Sequence, residues 1–450
     1  MPLQKIPVQV PLVNQPMSIL QSLAAARKNL LSIIPEIAVT QPMVSGRTGK
    51  RWHMVMDPAS IRRILLENLD NYPKSIVTKN LLRPAIGESL FIAEGAHWRW
   101  QRRAAAPVFS HRNVMNLTPI MAAAAERSCA RIANASGAVD MADDMVRTTF
   151  DVISEVTFSG DSTFDAAAVH NSIDAYMAAA GKISLFDILG FPDWVPRPGR
   201  LFSGPAMKQM KQVADEAVEA RRARGAQPGV PDLLDLLLLG EDPETKRRMN
   251  TAELRDNLLT FIVAGHETTA LTMAWSLYLC AFDQDVQDRA RAEVQSVLKG
   301  RTASGEDVAR LPFIRMIADE ALRLYPPAAM LSRTALKHDS LCEREIRAGD
   351  TVIIPIYALH RNRLLWSDPD AFQPQRFADR KAIQRYAYLP FGDGPRICIG
   401  ASFALQEVVI ILATLLANFR FTPVKTRDPD PVMIITLRPE GGVWLQAEPV

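Results

Sequence analysis

Cysteine is scarce in this chain, with four among 450 residues, at Cys129, Cys280, Cys342 and Cys398. They lie too far apart for a zinc pattern and are too few to staple a fold of this size, which excludes a disulfide scaffold and fits a reducing compartment. Charge of one sign is also missing, since 52 Lys and Arg stand against 49 Asp and Glu for a net charge of +3. So balanced a total excludes a nucleic-acid surface built on overall charge, and only Arg99, Arg102 and Arg103 argue for one locally. No charge-free apolar run reaches membrane-spanning length, and Pro7, Pro11 and Pro16 interrupt the N-terminus where a signal peptide needs its apolar stretch. A cytoplasmic chain with no membrane partner is the expectation. Repeats and low-complexity linkers are absent too, so residues 1–450 read as a single domain.

What is present is a chain 48% hydrophobic and 22% charged, globular in balance and large enough to enclose a cofactor. Met17 to Ile37 is patterned as an amphipathic helix, Arg51 to Met56 alternates like a strand, and Asp57-Pro58 opens a helix running toward Glu67. Tyr72 to Ala93 is interrupted by Pro73, Pro84 and Gly87 and reads as irregular loop with short helical pieces. His97 to Val108 is basic and aromatic, with Trp98 and Arg102 one helical turn apart on a shared face. Asp140 to Phe158 reads as a buried helix and 172–204 as a helix, a loop and another helix.

From Asn250 the pattern changes. Asn250 and Glu253 form a capping box, and helical periodicity runs without proline to about Phe282, roughly 48 Å of helix. Its middle is A-G-H-E-T-T, Ala264 to Thr269, where Gly265 costs about 1 kcal/mol against alanine and hydroxyls compete for backbone carbonyls. A distorted helix is expected there, a place where a small ligand can enter the backbone ladder. Phe313 to Leu324 is a helix stopped by Pro326-Pro327, with Glu320 and Arg323 at i,i+3. Thr351 to Tyr357 reads as a strand, and Val432–Leu437 with Val443–Leu445 as a hairpin joined through Pro439 to Gly442. The fold class is mainly α with a minor β region.

One decapeptide organises the rest: Phe391 to Gly400, F-G-D-G-P-R-I-C-I-G. Gly392, Gly394 and Pro395 make a tight loop, and Ala401 to Phe419 follows as a long apolar helix. Cys398 therefore sits at a helix N-terminus, where unpaired N–H groups and the helix dipole favour a thiolate. A soft anionic sulfur suits iron.

That loop resembles the heme-binding segment of the cytochrome P-450 superfamily, F-x-x-G-x-R-x-C-x-G. A-G-H-E-T-T resembles the family's A-G-x-[DE]-T-[TS], Glu320 to Arg323 its E-x-x-R, and Trp98 to Arg102 its W-x-x-x-R. The four motifs occur in the family's order, and the resemblance covers the chain from about residue 40. It implies a triangular helical heme domain holding heme b, with Cys398 as proximal iron ligand and with Phe391, Gly400 and Ala264 against the ring. It implies that Trp98, Arg102, Arg333 and Arg396 bind the propionates, with His360 a further candidate. Glu267 and Thr268 take the proton-delivery roles for dioxygen, and 172–204 is the mobile lid. Arg376 completes a structural triad with Glu320 and Arg323, although Gln375 stands where the family has glutamate.

Phe261, Ala264 and Thr268 share a helix face at i, i+3, i+7, and the resemblance adds Ala328, Ala329, Met330 and Ile434 to an apolar substrate wall. The expected activity is a soluble, bacterial-type heme-thiolate monooxygenase inserting one oxygen atom of dioxygen into a hydrophobic small molecule, fatty-acid-like or terpenoid. Electrons would come from a separate ferredoxin or flavodoxin, acidic and docking on Arg99, Arg103 and Arg112. A peroxide-driven peroxygenase would not need Glu267 and Thr268; a heme carrier or sensor without turnover is the alternative outside enzymes.

Overall fold

A reciprocal cap opens the longest helix of the described residues. Asn250 Oδ1 accepts the Glu253 N–H at 2.9 Å, and Glu253 Oε2 accepts the Asn250 N–H at 3.1 Å, satisfying two of the donors stranded at a helix start. From there Thr251–Phe282 runs for 32 residues. Contrary to the distortion expected at Ala264 to Thr269, helix continues throughout. The hydroxyls of Thr260, Thr272 and Ser276 each donate to the carbonyl four residues back at 2.7–2.8 Å, adding to the ladder rather than replacing it.

The structure, a computed structural model, describes residues 6–158, 204–225 and 230–450, in two compact units. The reading of 172–204 as a lid lies, but for Gly204, outside the described residues. One unit comprises 1–73, 121–148 and 268–450. Its core gathers the helices Gln284–Leu298, Pro312–Leu324 and Ala401–Asn418. Among the described residues Ala401–Asn418 is the one helix long and apolar enough to cross a membrane, and 56% of it is buried within the protein; Val408 to Leu416 pack as core.

The same unit carries the minor β region. A four-stranded sheet runs in the order Met43–Thr48, Lys50–Val55, Thr351–Ile354, Leu331–Thr334. Its outer pairings are antiparallel and the central one, Trp52 opposite Thr351, is parallel. The strand expected to reach Tyr357 stops at Ile354, because Pro355 starts a helical turn at Ile356–Leu359. The expected hairpin is also redrawn. Asp430–Met433 pairs with Leu437–Glu440, whereas Trp444–Pro449 joins Phe419–Pro423 and Val139–Asp140. Gly441 and Gly442, at φ +81° and +86°, turn the chain between the two sheets. The first helix is shorter than expected, Ile19–Lys28, because Asn29 turns extended and caps the next turn through the Leu31 N–H.

The other unit comprises 74–120 and 149–267. Here Ile76–Ile86 is a full helix where irregular chain was expected. Ser75 caps it, Gly87 ends it at φ +55°, and the helix runs through Pro84, which takes one N–H out of its ladder. Buried Asn257, on the long helix, accepts the Leu90 N–H at 2.9 Å and donates to Gln101 Oε1 at 2.8 Å, while Gln101 donates to the Glu88 carbonyl at 3.0 Å. That network fixes Gly95–Ala105, the helix of Trp98 and Arg102, against the long helix.

Candidate active site

The cysteine loop is shaped by two left-handed glycines, Gly392 at φ +71° and Gly394 at φ +72°. A side chain at Gly394 would also overlap the Leu65 carbonyl, so the loop rests directly on backbone there. Leu65 belongs to a wide π-type turn, Arg63–Glu67, that continues the short helix Pro58–Arg62. Asp339 holds that turn from outside. Its carboxylate accepts from Arg63 Nε at 2.9 Å and Nη2 at 2.7 Å, from Asn68 at 2.9 Å and from the Tyr72 hydroxyl at 2.7 Å. Burial raises the Asp339 pKa, but these donors outweigh it and hold the group at about 2.

Within the loop the Cys398 N–H donates to the Phe391 carbonyl at 2.9 Å, and Gly400 caps the helix Ala401–Asn418. Cys398 is exposed, and the residues after it, Phe403, Ala404 and Leu405, are apolar yet only half-buried. The other cysteines are held as thiols: burial pushes Cys280 and Cys129 up to about 12 and raises Cys342. The donor set therefore fits a thiolate-ligated iron at Cys398 and at none of the others, with apolar surface beside it for a flat hydrophobic ring.

Behind the loop stands a buried scaffold. Glu320 and Arg323, both without exposed side-chain surface, pair through two bonds of 2.7 and 2.8 Å, and Arg376 Nε reaches Glu320 at 3.1 Å. Arg323 also donates to the carbonyls of His360, Pro369 and Ala371 at 2.6–3.0 Å. His360, a candidate for propionate binding by resemblance, is instead part of this scaffold. It is fully buried, its Nδ1 donates to the Arg323 carbonyl at 3.1 Å, and its Nε2 accepts the Leu389 N–H at 2.9 Å. Both ring nitrogens are used, and burial with the neighbouring Arg323 charge lowers its pKa to about 3.

On the long helix every residue from Asp256 to Ala281 is buried except Val263, Ala264, Gly265 and Thr268. Ala264 is exposed and Thr268 half-buried, while Phe261 is buried edge-on to Phe109 at 5.1 Å and Glu267 is buried. The Thr149 hydroxyl donates to the His266 carbonyl at 2.8 Å, and His266 Nδ1 lies 3.2 Å from the Ile262 carbonyl, so His266 is tied into the helix. Thr149 is a contact that sequence reading missed, for want of any local signal.

Arg333 is buried on strand Leu331–Thr334, Arg396 is half-buried in the loop, and Trp98 is buried with Arg102 half-buried one turn on. Of the expected substrate wall, Ala328 is exposed and Met330 and Ile434 are half-buried. Ala329 has no exposed surface and is corrected to a core position, its carbonyl accepting the Tyr357 N–H at 3.1 Å. Arg103 is corrected as a docking residue. It grips Asp242 with two bonds of 2.7 and 2.8 Å and lies 3.1 Å from Glu244, leaving exposed Arg99 and Arg112.

Comparison with known proteins gives these features their class. The family model described as Cytochrome P450 matches residues 15–445, and the chain belongs to that family. Among curated relatives, Leukotriene-B4 omega-hydroxylase 3 of Mus musculus is 30% identical over 87% of this chain and 79% of its own length. Cytokinin hydroxylase of Arabidopsis thaliana is 29% identical over 93% of this chain and 85% of its own. Protein LUTEIN DEFICIENT 5, chloroplastic, of Arabidopsis thaliana is 30% identical over 83% of this chain, which spans 66% of that protein. The protein is a cytochrome P450 monooxygenase of the mainly α fold, a heme-iron enzyme that uses dioxygen, a hydrophobic substrate and a redox partner to hydroxylate. The expected cytoplasmic location is overturned: these relatives are plant and mammalian proteins, one of them chloroplastic by name, and they point away from it.

Proposed function

We propose that the chain holds heme b through Cys398 and hydroxylates an elongated, alkyl-bearing hydrophobic molecule. The observation that carries this reading is the exposed Cys398 in a loop that two left-handed glycines and the Leu65 backbone shape, beside half-buried apolar helix surface. When bound, thiolate-ligated heme iron supplies dioxygen activation. Everything else falls to the chain. By the family resemblance Arg102, Arg333 and Arg396 with the Trp98 indole would bind the heme carboxylates, since a guanidinium matches a carboxylate with two parallel bonds. By the same resemblance Phe391, Gly400 and Ala264 would contact the ring.

Thr268, on the long helix, would hold a proton at its hydroxyl for dioxygen, and Glu267 would resupply it. Ala328, Met330 and Ile434 give the substrate apolar contact worth roughly 25 cal/mol per Å² removed from water. The name Leukotriene-B4 omega-hydroxylase supports an elongated substrate, and Cytokinin hydroxylase shows how far substrates diverge at similar identity. A separate acidic ferredoxin or flavodoxin delivers electrons by way of Arg99 and Arg112, and its reduction rate falls with salt.

The test is the ferrous carbon monoxide spectrum. The protein should show the strongly red-shifted Soret band of thiolate ligation, and Cys398→His should abolish it while Cys280→Ala keeps it. A red-shifted band that survives Cys398→His would end the assignment.

A further inference from the structure

Away from the cysteine loop, the four-stranded sheet contains a hydrogen-bonded chain with the order nucleophile, base, carboxylate. Ser45 and His53 are cross-strand partners in the hairpin of Met43–Thr48 and Lys50–Val55. The Ser45 hydroxyl lies 2.8 Å from His53 Nδ1, and His53 Nε2 lies 3.1 Å from Asp350 Oδ2. Asp350 directly precedes strand Thr351–Ile354, whose parallel pairing sets Val352 opposite His53, so the sheet register delivers the carboxylate to the ring.

Asp350 also determines which nitrogen is bare. Its Oδ2 accepts the Arg347 N–H at 2.8 Å and faces Arg51 at 3.2 Å, as a carboxylate does. A carboxylate oxygen cannot donate, so the proton sits on His53 Nε2 and the Nδ1 lone pair faces the serine hydroxyl. Burial lowers the His53 pKa, which keeps the ring neutral and ready to accept that proton. Ser45 itself is exposed, and Arg344 Nη1 donates to its oxygen at 3.5 Å, a cation that favours the negative charge developing on Oγ as its proton leaves.

We propose that Ser45 is an activated nucleophile that takes the acyl group of small, unhindered esters, with His53 as its base and Asp350 holding His53. In that step a bond forms between Ser45 Oγ and the carbonyl carbon and the bond to the alcohol breaks. The hydroxyl proton passes to His53 Nδ1 and then to the departing alkoxide. Water, activated by the same imidazole, frees the serine, so the net reaction is ester hydrolysis. It uses no heme and no electrons and stands apart from the hydroxylation.

The test uses the full chain with two probes. Diisopropyl fluorophosphate should form an Oγ–P bond at Ser45 with loss of fluoride, located by peptide mass mapping, and His53→Gln should slow this on the order of 10²-fold, the reach of general-base catalysis. p-Nitrophenyl acetate hydrolysis should fall at least about tenfold in Ser45→Ala, which alters only an exposed hydroxyl and reports even if the buried His53 variant misfolds. No adduct at Ser45, labelling as fast in His53→Gln, or ester hydrolysis unchanged in Ser45→Ala would each overturn the proposal.

Discussion

Acid should loosen the segment leading into the cysteine loop, through a single imidazole. His360 ties the Arg323 carbonyl to the Leu389 N–H, two residues before the loop, and does so only while neutral. Protonated, it would offer a donor to the Leu389 donor and set a cation beside Arg323. In the unfolded chain the ring takes its proton near 6.5, but in the fold only near 3. Across that window the unfolded state binds the extra proton, so stability is lost as pH falls from 6.5 toward 3, at about 1.4 kcal/mol per pH unit. By about pH 4.5 the loss from this group alone is about 3 kcal/mol, a sizeable part of the 5–15 kcal/mol that holds typical domains. Other groups titrate too, so the measurement is a difference. His360→Gln keeps an acceptor for Leu389 and cannot ionise. Urea unfolding of the heme-loaded protein, followed by circular dichroism near neutral pH and near pH 4.5, should show wild type losing about 3 kcal/mol more than the variant. Equal losses in the two proteins would refute the role of the imidazole.

Gly394→Ala should lose the cysteine loop, since it sets a methyl on the Leu65 carbonyl at φ +72°, and gel filtration should show the heme leaving the protein. Asp339→Asn should cost about 2 kcal/mol at neutral pH in urea melts; because the folded pKa of Asp339 is depressed to about 2, the gap from wild type should close as pH falls through 3.8 toward 2. Thr268→Ala should bind heme and substrate as before yet divert electrons to peroxide, read as peroxide formed per NAD(P)H consumed; unchanged coupling would remove Thr268 from proton delivery.

What could be read in advance was local. Asn250 and Glu253 announce their helix because both halves of the cap lie within one turn, and Pro326-Pro327 stops the Glu320 helix for a reason contained in two residues. What could not be read depends on partners far along the chain. Arg103 looks like a free cation until Asp242, 139 residues later, closes on it. His360 looks available in L-H-R-N because nothing nearby shows that Leu389 will need an acceptor. Pro84 reads as a breaker, but the helix runs through it to Ile86. Trp444 and Leu445 read as the return strand of a hairpin by proximity, while the partners of their strand, Asp140 for Trp444 and Pro423 to Phe421 for Leu445 to Ala447, belong to other parts of the chain. The cysteine loop was legible to the residue, yet the reason Gly394 is glycine lies in the carbonyl of Leu65.

The sheet pairing Trp52 with Thr351 has a consequence for how the chain is made. About 300 residues separate the two strands, so a ribosome working at about 5–20 residues per second exposes the first hairpin for roughly 15 to 60 s before its neighbour exists. During that interval the Lys50–Val55 edge is unpaired, open to association with other nascent chains. Asp339, which holds the turn beneath Gly394, emerges only shortly before Thr351, and the cysteine loop about 40 residues after that. Synthesis therefore builds the seat before the loop that rests on it, and heme capture becomes one of the last events in the birth of the protein.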